Sequence, residues 1–373
     1  MPLPLDGLLV LDFSTLLPGP LATLMLAEAG AEVVKVERPG GEDMRAFPPA
    51  SGDISAPFAV LNAGKTSLFV DLKSPAGRAA LDPYLKRADI LVEQFRPGVM
   101  DRLGLGYEAA AALNPGLIYC SISGYGQAGP RAGEAGHDIN YQARSGLLSL
   151  APGVPGAPAT PAALVADIGG GSMPAVLNIL LALRQRDRTG KGTYLDIAMT
   201  DALFTFAWYG LAEGFATGAF PGPGENRLAG GSPRYGLYDT ADGRFVAVGA
   251  LEEKFWRAFC EGIGLPSDLR DDSCDPAATR VAIAAILRAE PAAAWSARLE
   301  PLDCCCCVVA SLQEALADPH FRARGLWAAR ADAGRDGIPI TPLPLAPALR
   351  RDATDFRRVA GVDDASRQDA VIP

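Results

Sequence analysis

The chain has 373 residues, of which 49% are hydrophobic and 21% charged, a composition typical of a globular protein that is long enough for two domains. Its formal net charge of −9 argues against a nucleic-acid binder, because such proteins are usually basic. Seven cysteines, four of them adjacent at 304–307, are odd in number and do not form a disulfide framework, so we expect a reducing cytoplasmic location.

Targeting and membrane segments are not expected. The N-terminal stretch MPLPLDGLLVLDFS has no basic region and no long apolar run, which is unlike a signal peptide. No uninterrupted run of about 18 apolar residues occurs, so we expect no membrane span.

Short apolar runs alternate with helical patterns through residue 123. The runs at 8–13 and 33–37 predict buried strands, joined by a helix that ends near Gly30. The same alternation continues with predicted strands at 67–72, 90–95 and 117–123, and with a helix over 76–87. Strands that alternate with helices predict a doubly wound α/β sheet.

The second half of the chain predicts long helices and then a smaller domain. Helices are expected over 172–187 and roughly 197–217, and the Gly- and Pro-rich segment 221–235 is typical of a linker. Asp242-Gly243 between two apolar runs predicts a β-hairpin. We therefore predict the following domains: a large domain over 1–200 joined by the C-terminal segment 320–373, a linker helix over 201–226, and a small α+β domain over 227–311.

Three motif-like stretches do not support a function of their own. Gly124-x-Gly126-x-x-Gly129 matches a dinucleotide fingerprint, but the residues after it contain Pro and Gly where a helix is required. AGKTS at 63–67 lacks the first glycine of a phosphate-binding P-loop. The cysteines at 304–307 alternate between faces if they form a strand, so they cannot close one metal tetrahedron, and a buried strand is the expected structure.

An imidazole and a carboxylate are the candidate chemical groups. His137 lies in a glycine-flanked loop after the strand that ends near 123, where α/β folds commonly build their sites. Asp167 precedes three glycines and a helix, whose N-terminus stabilises nearby negative charge. A surface histidine and a helix-capping aspartate are the simpler interpretations, and the residues on their own favour these.

Several stretches taken together resemble the family III CoA-transferases and, within that superfamily, the α-methylacyl-CoA racemases. They occur in the expected order and span most of the chain. The matching stretches are PGPLATLMLAEAGAEVVKVERPGG (18–41), NAGKTSLFVDLK (62–73), FRPGVMDRLGLGYE (95–108), SISGYGQAGP (121–130), GHDINY (136–141), ADIGGGSM (166–173), YDTADGRFVAVGALE (238–252) and DPHFRARG (318–325).

The resemblance implies a fold and a set of site residues. The fold is a Rossmann-like large domain with a smaller α+β domain, in an interlocked homodimer. The resemblance gives His137 and Asp167 as the catalytic pair, with Glu252 of the other subunit orienting the histidine. It places Asp138 and Tyr141 near the reacting group. The residues that it implies for CoA binding are Arg38, Lys65, Arg96, Arg102, Asp138 and Tyr141.

The resemblance also implies the reaction, which interconverts (R)- and (S)-2-methylacyl-CoA thioesters by proton transfer through an enolate. Two acid–base groups on opposite faces of the carbon suffice for this chemistry, so no metal or redox cofactor is expected, and CoA is part of the substrate. The expected partners are the acyl-CoA and a second copy of the chain, with no nucleic acid and no membrane. The alternative is a family III CoA-transferase, in which Asp167 is the nucleophile that forms an aspartyl-CoA thioester.

Overall fold

The structure is a computed structural model that describes residues 2–153, 159–352 and 356–361. The chain divides into two compact units. The first comprises Met1–Ser145, Ala163–Leu203 and Arg322–Pro373, and the second comprises Gly146–Ala162 and Phe204–Phe321. The segment 146–162, which we assigned to the large domain from sequence, thus belongs to the second unit, and the end of the C-terminal segment lies outside the described residues.

Fourteen strands are found in the described part of the chain, and most of them are short. They are β1 (Leu9–Asp12), β2 (Glu32–Glu37), β3 (Ala50–Ser51), β4 (Ile54–Ser55), β5 (Thr66–Phe69), β6 (Ile90–Glu93), β7 (Ile118–Ser123), β8 (Thr193–Ala198), β9 (Tyr235–Asp239), β10 (Phe245–Gly249), β11 (Cys306–Val308), β12 (Arg330–Asp332), β13 (Ile338–Pro339) and β14 (Phe356–Arg358).

Fourteen α-helices accompany these strands within the described residues. They are α1 (Pro18–Glu28), α2 (Ala56–Asn62), α3 (Pro75–Arg87), α4 (Val99–Arg102), α5 (Tyr107–Leu113), α6 (Asp138–Arg144), α7 (Met173–Thr189), α8 (Leu203–Phe206), α9 (Trp208–Thr217), α10 (Glu253–Ile263), α11 (Pro276–Leu287), α12 (Ala292–Leu299), α13 (Leu312–Ala317) and α14 (Pro319–Ala323).

The first unit is built on a six-stranded parallel sheet, as the strand–helix alternation predicts. Its strand order is β5-β2-β1-β6-β7-β8, so the chain builds outward in one direction from β1 and in the other from β6. A crevice forms beyond the carboxyl ends of strands where the order reverses, and this is where open α/β sheets bind ligands. The arrangement is the expected Rossmann-like α/β fold.

The helix prediction over 197–217 is only partly correct. The segment begins inside strand β8, which pairs in parallel with β7 at the edge of the sheet, and helical structure starts at Leu203. Periodicity does not separate a short apolar strand from a helix, and no Gly or Pro stands between β8 and α8 to mark the boundary. The sheet therefore has a sixth strand that the sequence analysis did not identify.

Helix α7 covers one face of the sheet, where it contacts β7, β8 and α1. Helix α7 and the helical turns before it form one continuous helix, Ala166–Thr189, which is long and apolar enough to cross a membrane by length and composition. The sequence analysis did not find this candidate, because it searched only for uninterrupted runs of apolar residues. The core helices of soluble proteins pass the same test.

The second unit contains an antiparallel sheet of order β11-β10-β9. Strands β9 and β10 form the hairpin expected around Asp242-Gly243. Three helices pack on one face of this sheet and bury two tryptophans, Trp256 and Trp295. The buried strand predicted for 304–307 is only partly correct, because β11 begins at Cys306, and Cys305 and Cys307 are exposed.

Candidate active site

Two cavities lie at the carboxyl edge of the parallel sheet, both within the first unit. One of about 430 Å³ is lined by the loop after β7, the start of α6 and Asp167, and it contains His137. The other, of about 510 Å³, is lined by residues that follow β1, β2 and β5. Leu16 and Phe95 line both cavities, so they form the wall that the two share.

His137 is presented by the first turn of helix α6. It is the N-cap residue, and its backbone N–H donates to the Asn140 Oδ1 at 3.0 Å. The preceding peptide is also held, because the Tyr141 hydroxyl donates to the Gly136 carbonyl oxygen at 2.6 Å. The imidazole itself is exposed. The backbone of His137 is thus fixed from both sides while its side chain stays accessible.

Asp167 lies in a π-helical stretch, Ala166–Ser172, that runs directly into α7. Such π-helical turns inside helices occur frequently at functional sites. The stretch packs tightly: a Cβ added to Gly170 would lie 2.2 Å from the Met199 carbonyl oxygen. The Ser172 hydroxyl also donates to the Pro18 carbonyl oxygen at 2.7 Å. Gly170 and Gly171 therefore allow this backbone to approach Met199, which follows β8, and Pro18 at the start of α1.

Burial raises the pKa of the Asp167 carboxyl to about 6, with a further increase from the nearby Asp138 carboxylate, and His137 acts in the opposite direction. No described residue donates a hydrogen bond to the Asp167 carboxylate, which lines the 430 Å³ cavity. A carboxyl group with a pKa near 6 can both accept and release a proton at neutral pH.

Asp138 joins the two candidate catalytic segments. It is buried, and its Oδ2 accepts a hydrogen bond from the backbone N–H of Asp167 at 2.9 Å. Its Oδ1 accepts a hydrogen bond from the Gln142 side chain, one turn along α6. Asp138 therefore ties the start of α6 to the π-helical stretch and acts on Asp167 through both position and charge.

Tyr141 closes the inner side of the cavity. Burial raises the pKa of its phenol to about 12, and the Asp167 carboxylate adds to the effect. Its ring packs edge-on against Tyr125, with centroids 5.3 Å apart. A Cβ at Gly124 or Gly136 would lie 2.5 or 2.7 Å from the Tyr141 ring, so these two positions have room for glycine only. Tyr141 is thus a neutral wall and hydrogen-bond donor.

The lining of the 510 Å³ cavity includes two cations and four carboxylates, the latter being Glu37, Glu42, Asp43 and Asp71. Arg38 and Lys73 line it, and the Arg38 guanidinium pairs with Asp43 while its side chain remains 65% exposed. Sequence reasoning selected Arg38 but did not single out Lys73, although Lys73 ends a stretch that resembles the family. The cue was available, since Lys73 directly follows a predicted strand of the sheet.

Arg96 and Arg102 lie in different environments. Arg96 is exposed and lines the cavity that holds His137. Arg102 ends α4, is exposed, and is not part of the lining of either cavity in the described part of the chain. Phe95, beside Arg96, was not selected from sequence, because it is the last residue of the strand predicted over 90–95, where an apolar residue is more commonly part of the core.

Lys65 does not present a free ammonium group to either cavity. It is 4% exposed, and its Nζ donates within 3.1 Å to four protein acceptors: the Asp12 carboxylate, the Pro20 carbonyl, the Thr23 hydroxyl and the Asn62 amide oxygen. An ammonium group has three N–H donors, so its hydrogen bonds are fully used inside the fold. Lys65 is therefore placed as a structural residue, and we remove it from the set proposed to contact CoA.

Lys65 belongs to a buried charge cluster that we define as Asp12, Lys35, Glu42 and Lys65. Burial alone would raise the pKa of Asp12, but the two lysines outweigh this effect and hold it below its usual range. Burial lowers the pKa of Lys65 to about 8. Lys35 pairs with Glu42 at 2.9 Å, so each charge in the cluster has an opposite charge beside it.

The buried charge cluster fixes the loop that separates the two cavities. Lys35 Nζ donates to the Ser14 carbonyl oxygen at 2.8 Å, and Glu42 Oε2 accepts from the Leu16 N–H at 3.0 Å. Leu16 has a φ of 60°, an uncommon conformation for a residue with a side chain. The cluster therefore holds Leu16, part of the shared wall, in a conformation that it would otherwise seldom adopt.

Glu252 lies in the second unit. It follows β10 as the N-cap residue of α10, in an extended conformation, and its side chain is exposed. Among the described residues, no group of three or more His, Cys, Asp or Glu side chains is arranged to hold a metal ion.

Known proteins share both the sequence and the fold. Residues 5–359 match the family model of CoA-transferase family III. The chain is 37% identical to the α-methylacyl-CoA racemase of Homo sapiens over 93% of this chain and 89% of that protein. It is 38% identical to the acetyl-CoA:oxalate CoA-transferase of Acetobacter aceti, over 78% of this chain and 77% of that protein.

A solved structure extends this similarity to three dimensions. A CAIB/BAIF family protein from Brucella suis superposes with a TM-score of 0.84 at 28% identity, covering 99% of both chains. The parallel sheet, the smaller antiparallel unit and the placement of His137 and Asp167 on one cavity accompany a match over nearly the whole sequence. The chain therefore belongs to CoA-transferase family III.

Proposed function

We propose that this protein is a racemase of 2-methylacyl-CoA thioesters, in which His137 and Asp167 move one proton at the carbon next to the thioester. The observation that carries the proposal is that both side chains line one cavity and that the pKa of Asp167 is raised to about 6. Similarity to racemases over most of the chain supports it.

The reaction needs a proton acceptor on one face of the α-carbon and a proton donor on the other. One of the two side chains removes the α-proton to give an enolate, and the second delivers a proton to the opposite face, which inverts the centre. The first turn of the π-helical stretch, where the continuous helix begins beside Asp167, would stabilise the enolate oxygen, because helix N-termini favour negative charge. Proton transfer between two such groups requires neither a metal nor a redox cofactor, so we propose that none takes part.

The CoA portion of the substrate would occupy the 510 Å³ cavity. Its phosphates need cations, which Arg38 and Lys73 supply at the rim and Arg96 supplies beside the other cavity. Since Leu16 and Phe95 line both cavities, the flexible arm of CoA would cross this shared wall to bring the thioester to His137. Arg102 remains a proposed contact of the phosphates outside both cavities.

We further propose that the active unit is a homodimer in which Glu252 of one chain orients His137 of the other. Large apolar side chains are exposed in neighbouring pairs on both units: Leu177 and Leu181, one turn apart on α7, in the first, and Phe215 and Phe220, with ring centroids 5.8 Å apart, in the second. Contiguous exposed apolar surface commonly marks a protein–protein interface. An interlocked arrangement and a cytoplasmic location remain predictions from the sequence.

A CoA-transferase is the second candidate function. The observation that favours it is the Asp167 carboxylate, which accepts no hydrogen bond from a described residue and is open to the cavity, as a nucleophile must be. Relatives that are CoA-transferases are as similar in identity as the racemases. In that reaction His137 would have no required role, which separates the two candidates.

The test follows the α-hydrogen of (S)-2-methylacyl-CoA in D₂O by NMR, with no acceptor acid added. The proposal predicts incorporation of deuterium together with formation of the (R)-thioester. If the α-hydrogen is retained, an aspartyl-CoA thioester is trapped at Asp167, and an added carboxylic acid discharges it to give the CoA thioester of that acid, the protein is a transferase and the racemase proposal is wrong.

A further inference from the structure

The cysteine run 304–307 has an unusual backbone. Cys305 has a φ of 54° and Asp303 a φ of 46°, and with Leu16 these are the non-glycine residues with positive φ in the described part of the chain. Strained residues of this kind persist only where the surrounding structure fixes them, and they cluster at functional positions. No step of the proposed racemase reaction uses this segment.

The run is fixed by its neighbour in the antiparallel sheet. Cys306 and Cys307 pair with Val248 and Ala247 of β10, and the Gly249 N–H donates to the Cys305 carbonyl oxygen at 2.9 Å. The left-handed Cys305 thus sits between two residues whose positions the sheet and the core define.

This turn places alternate thiols on the same side. Cys304 is buried in the core of the second unit and Cys306 packs against the same core, whereas Cys305 and Cys307 are exposed. The Cys306 thiol donates to the Cys304 carbonyl oxygen at 3.3 Å, so the Cys306 sulfur lies against the backbone of Cys304.

The geometry suits a bond between these two sulfurs. In an extended strand, residues two apart have Cα atoms about 6.6 Å apart, close to the upper limit of about 6.8 Å for a disulfide. A left-handed middle residue shortens this separation, because the chain turns instead of extending. The conformation of Cys305 therefore brings Cys304 and Cys306 into the range that a disulfide spans.

We propose that the cysteine run is a reversible thiol-oxidation site in which Cys304 and Cys306 form a disulfide across Cys305. The oxidant is a small disulfide such as oxidised glutathione. The Cys306 sulfur, which is half-buried, attacks one sulfur of the oxidant, whose S–S bond breaks and releases one thiol. The Cys304 sulfur then displaces the second thiol from Cys306. The two protein thiols are oxidised, the small disulfide is reduced, and the two thiol protons end on the released thiols.

Burial raises the pKa of both the Cys304 and the Cys306 thiol, so the exchange is slow at neutral pH and speeds up as the pH rises. The cysteine run lies beside Gly249, the last residue of β10, and Glu252 comes three residues after Gly249 in the chain. The proposal itself concerns the thiols and does not depend on the racemase reaction.

The test equilibrates the folded, full-length protein in buffers of reduced and oxidised glutathione, blocks the remaining free thiols by alkylation, and maps the 304–307 peptide by mass spectrometry. The expected result is one internal disulfide that dithiothreitol reverses. It should persist in the Cys305→Ser/Cys307→Ser double variant, which keeps only the proposed pair.

The disulfide should be lost in Cys306→Ala and in Cys304→Ala. Since Cys304 is buried, Cys306→Ala is the decisive variant if Cys304→Ala fails to fold. A disulfide that survives Cys306→Ala, or one that disappears in the double variant, would overturn the assignment. The assignment of the disulfide to Cys304 and Cys306 is also wrong if the wild-type protein shows only stable glutathione adducts at Cys305 and Cys307.

Discussion

Two carboxylates beside one imidazole dominate the site at the scale of single residues. Asp138 is buried and bonded to the Asp167 backbone, while the Asp167 side chain lines the cavity without a hydrogen-bond donor among the described residues. The same residue type thus has two roles that are set by environment, one positional and one chemical. The consequences for pH and stability can be measured separately.

Asp167 should lower the stability of the folded protein at neutral pH. Its pKa of about 6 lies above the ordinary value of 3.8 for an aspartate, so the folded state favours the protonated form more than the unfolded chain does. The stability that protonation contributes is complete below about pH 4 and is lost as the pH rises through about 6. We therefore expect Asp167→Asn to stabilise the protein by about 1–2 kcal/mol at pH 8, allowing for solvent screening of a partly exposed group.

Urea unfolding at pH 8 and pH 4 measures this difference. The gain from Asp167→Asn should appear at pH 8 and vanish at pH 4, although the variant is catalytically inactive. An equal gain at both pH values would show that the charge of Asp167 is not the cause.

Asp138 should set the acid limb of the pH–rate profile. Asp138→Asn keeps the shape of the side chain but removes a negative charge that raises the pKa of Asp167. We expect the acid limb of kcat/KM to move to lower pH by about one unit. Glu134→Gln, in the same loop and lining the same cavity, is the matched control and should leave the limb in place. An unchanged limb in Asp138→Asn would contradict the proposed electrostatic coupling.

The roles of His137 and Asp167 were accessible from sequence only through resemblance to a family. A histidine in a glycine-flanked loop and an aspartate before a helix are common, and their chemistry depends on burial and neighbours that the sequence does not show. Lys65 illustrates the opposite case: the residue matches a stretch typical of the family, yet three of its four acceptors, on Asp12, Pro20 and Thr23, come from segments distant in the chain. No local pattern reveals such partners.

At the scale of elements, five of the six parallel strands were predicted, with ends that differ by up to three residues from those in the structure. Strands β1, β2, β5, β6 and β7 lie within a few residues of the predicted runs, because buried parallel strands are continuous apolar stretches. Strand β8 was missed since its apolar run continues into a helix. The π-helical form of Ala166–Ser172 was also missed, because it depends on the close approach of Gly170 to Met199.

The buried charge cluster gives a prediction at this scale. Lys65→Met leaves Asp12 buried without its partner, so we expect a loss of about 3–5 kcal/mol in stability. The affinity of the folded variant for CoA should be nearly unchanged. Arg38→Met, the matched control at the cavity rim, should weaken CoA binding and leave stability within about 0.5 kcal/mol.

Unfolding curves and calorimetric titration with CoA separate these effects. The Asp12→Asn/Lys65→Met double variant should recover part of the lost stability, because no uncompensated charge remains. A stable Lys65→Met protein that binds CoA at least tenfold more weakly would show that Lys65 contacts the ligand after all.

At the scale of the whole molecule, the proposed dimer makes Glu252 a residue that acts on the other chain. We expect His137→Ala and Glu252→Ala homodimers each to be impaired. When the two variants are coexpressed with different tags and purified through both, the mixed dimers contain one site with neither substitution, so activity should return to about half of the wild-type level per dimer.

The coexpressed mixture distinguishes a Glu252 that acts on His137 of the other chain from a Glu252 that acts on His137 of its own chain. If Glu252 acts on His137 of its own chain, every site in the mixed dimer carries a substitution and no activity returns. A monomeric wild-type protein with full activity would equally contradict the proposed dimer.

The most direct test of the central claim is α-hydrogen exchange of each enantiomer by the two single variants in D₂O. If His137 and Asp167 serve opposite faces of the carbon, His137→Ala should still exchange the α-hydrogen of one enantiomer and Asp167→Ala that of the other, and neither should interconvert the two. If either variant still racemises, or if both lose exchange with the same enantiomer only, the two-base account is wrong.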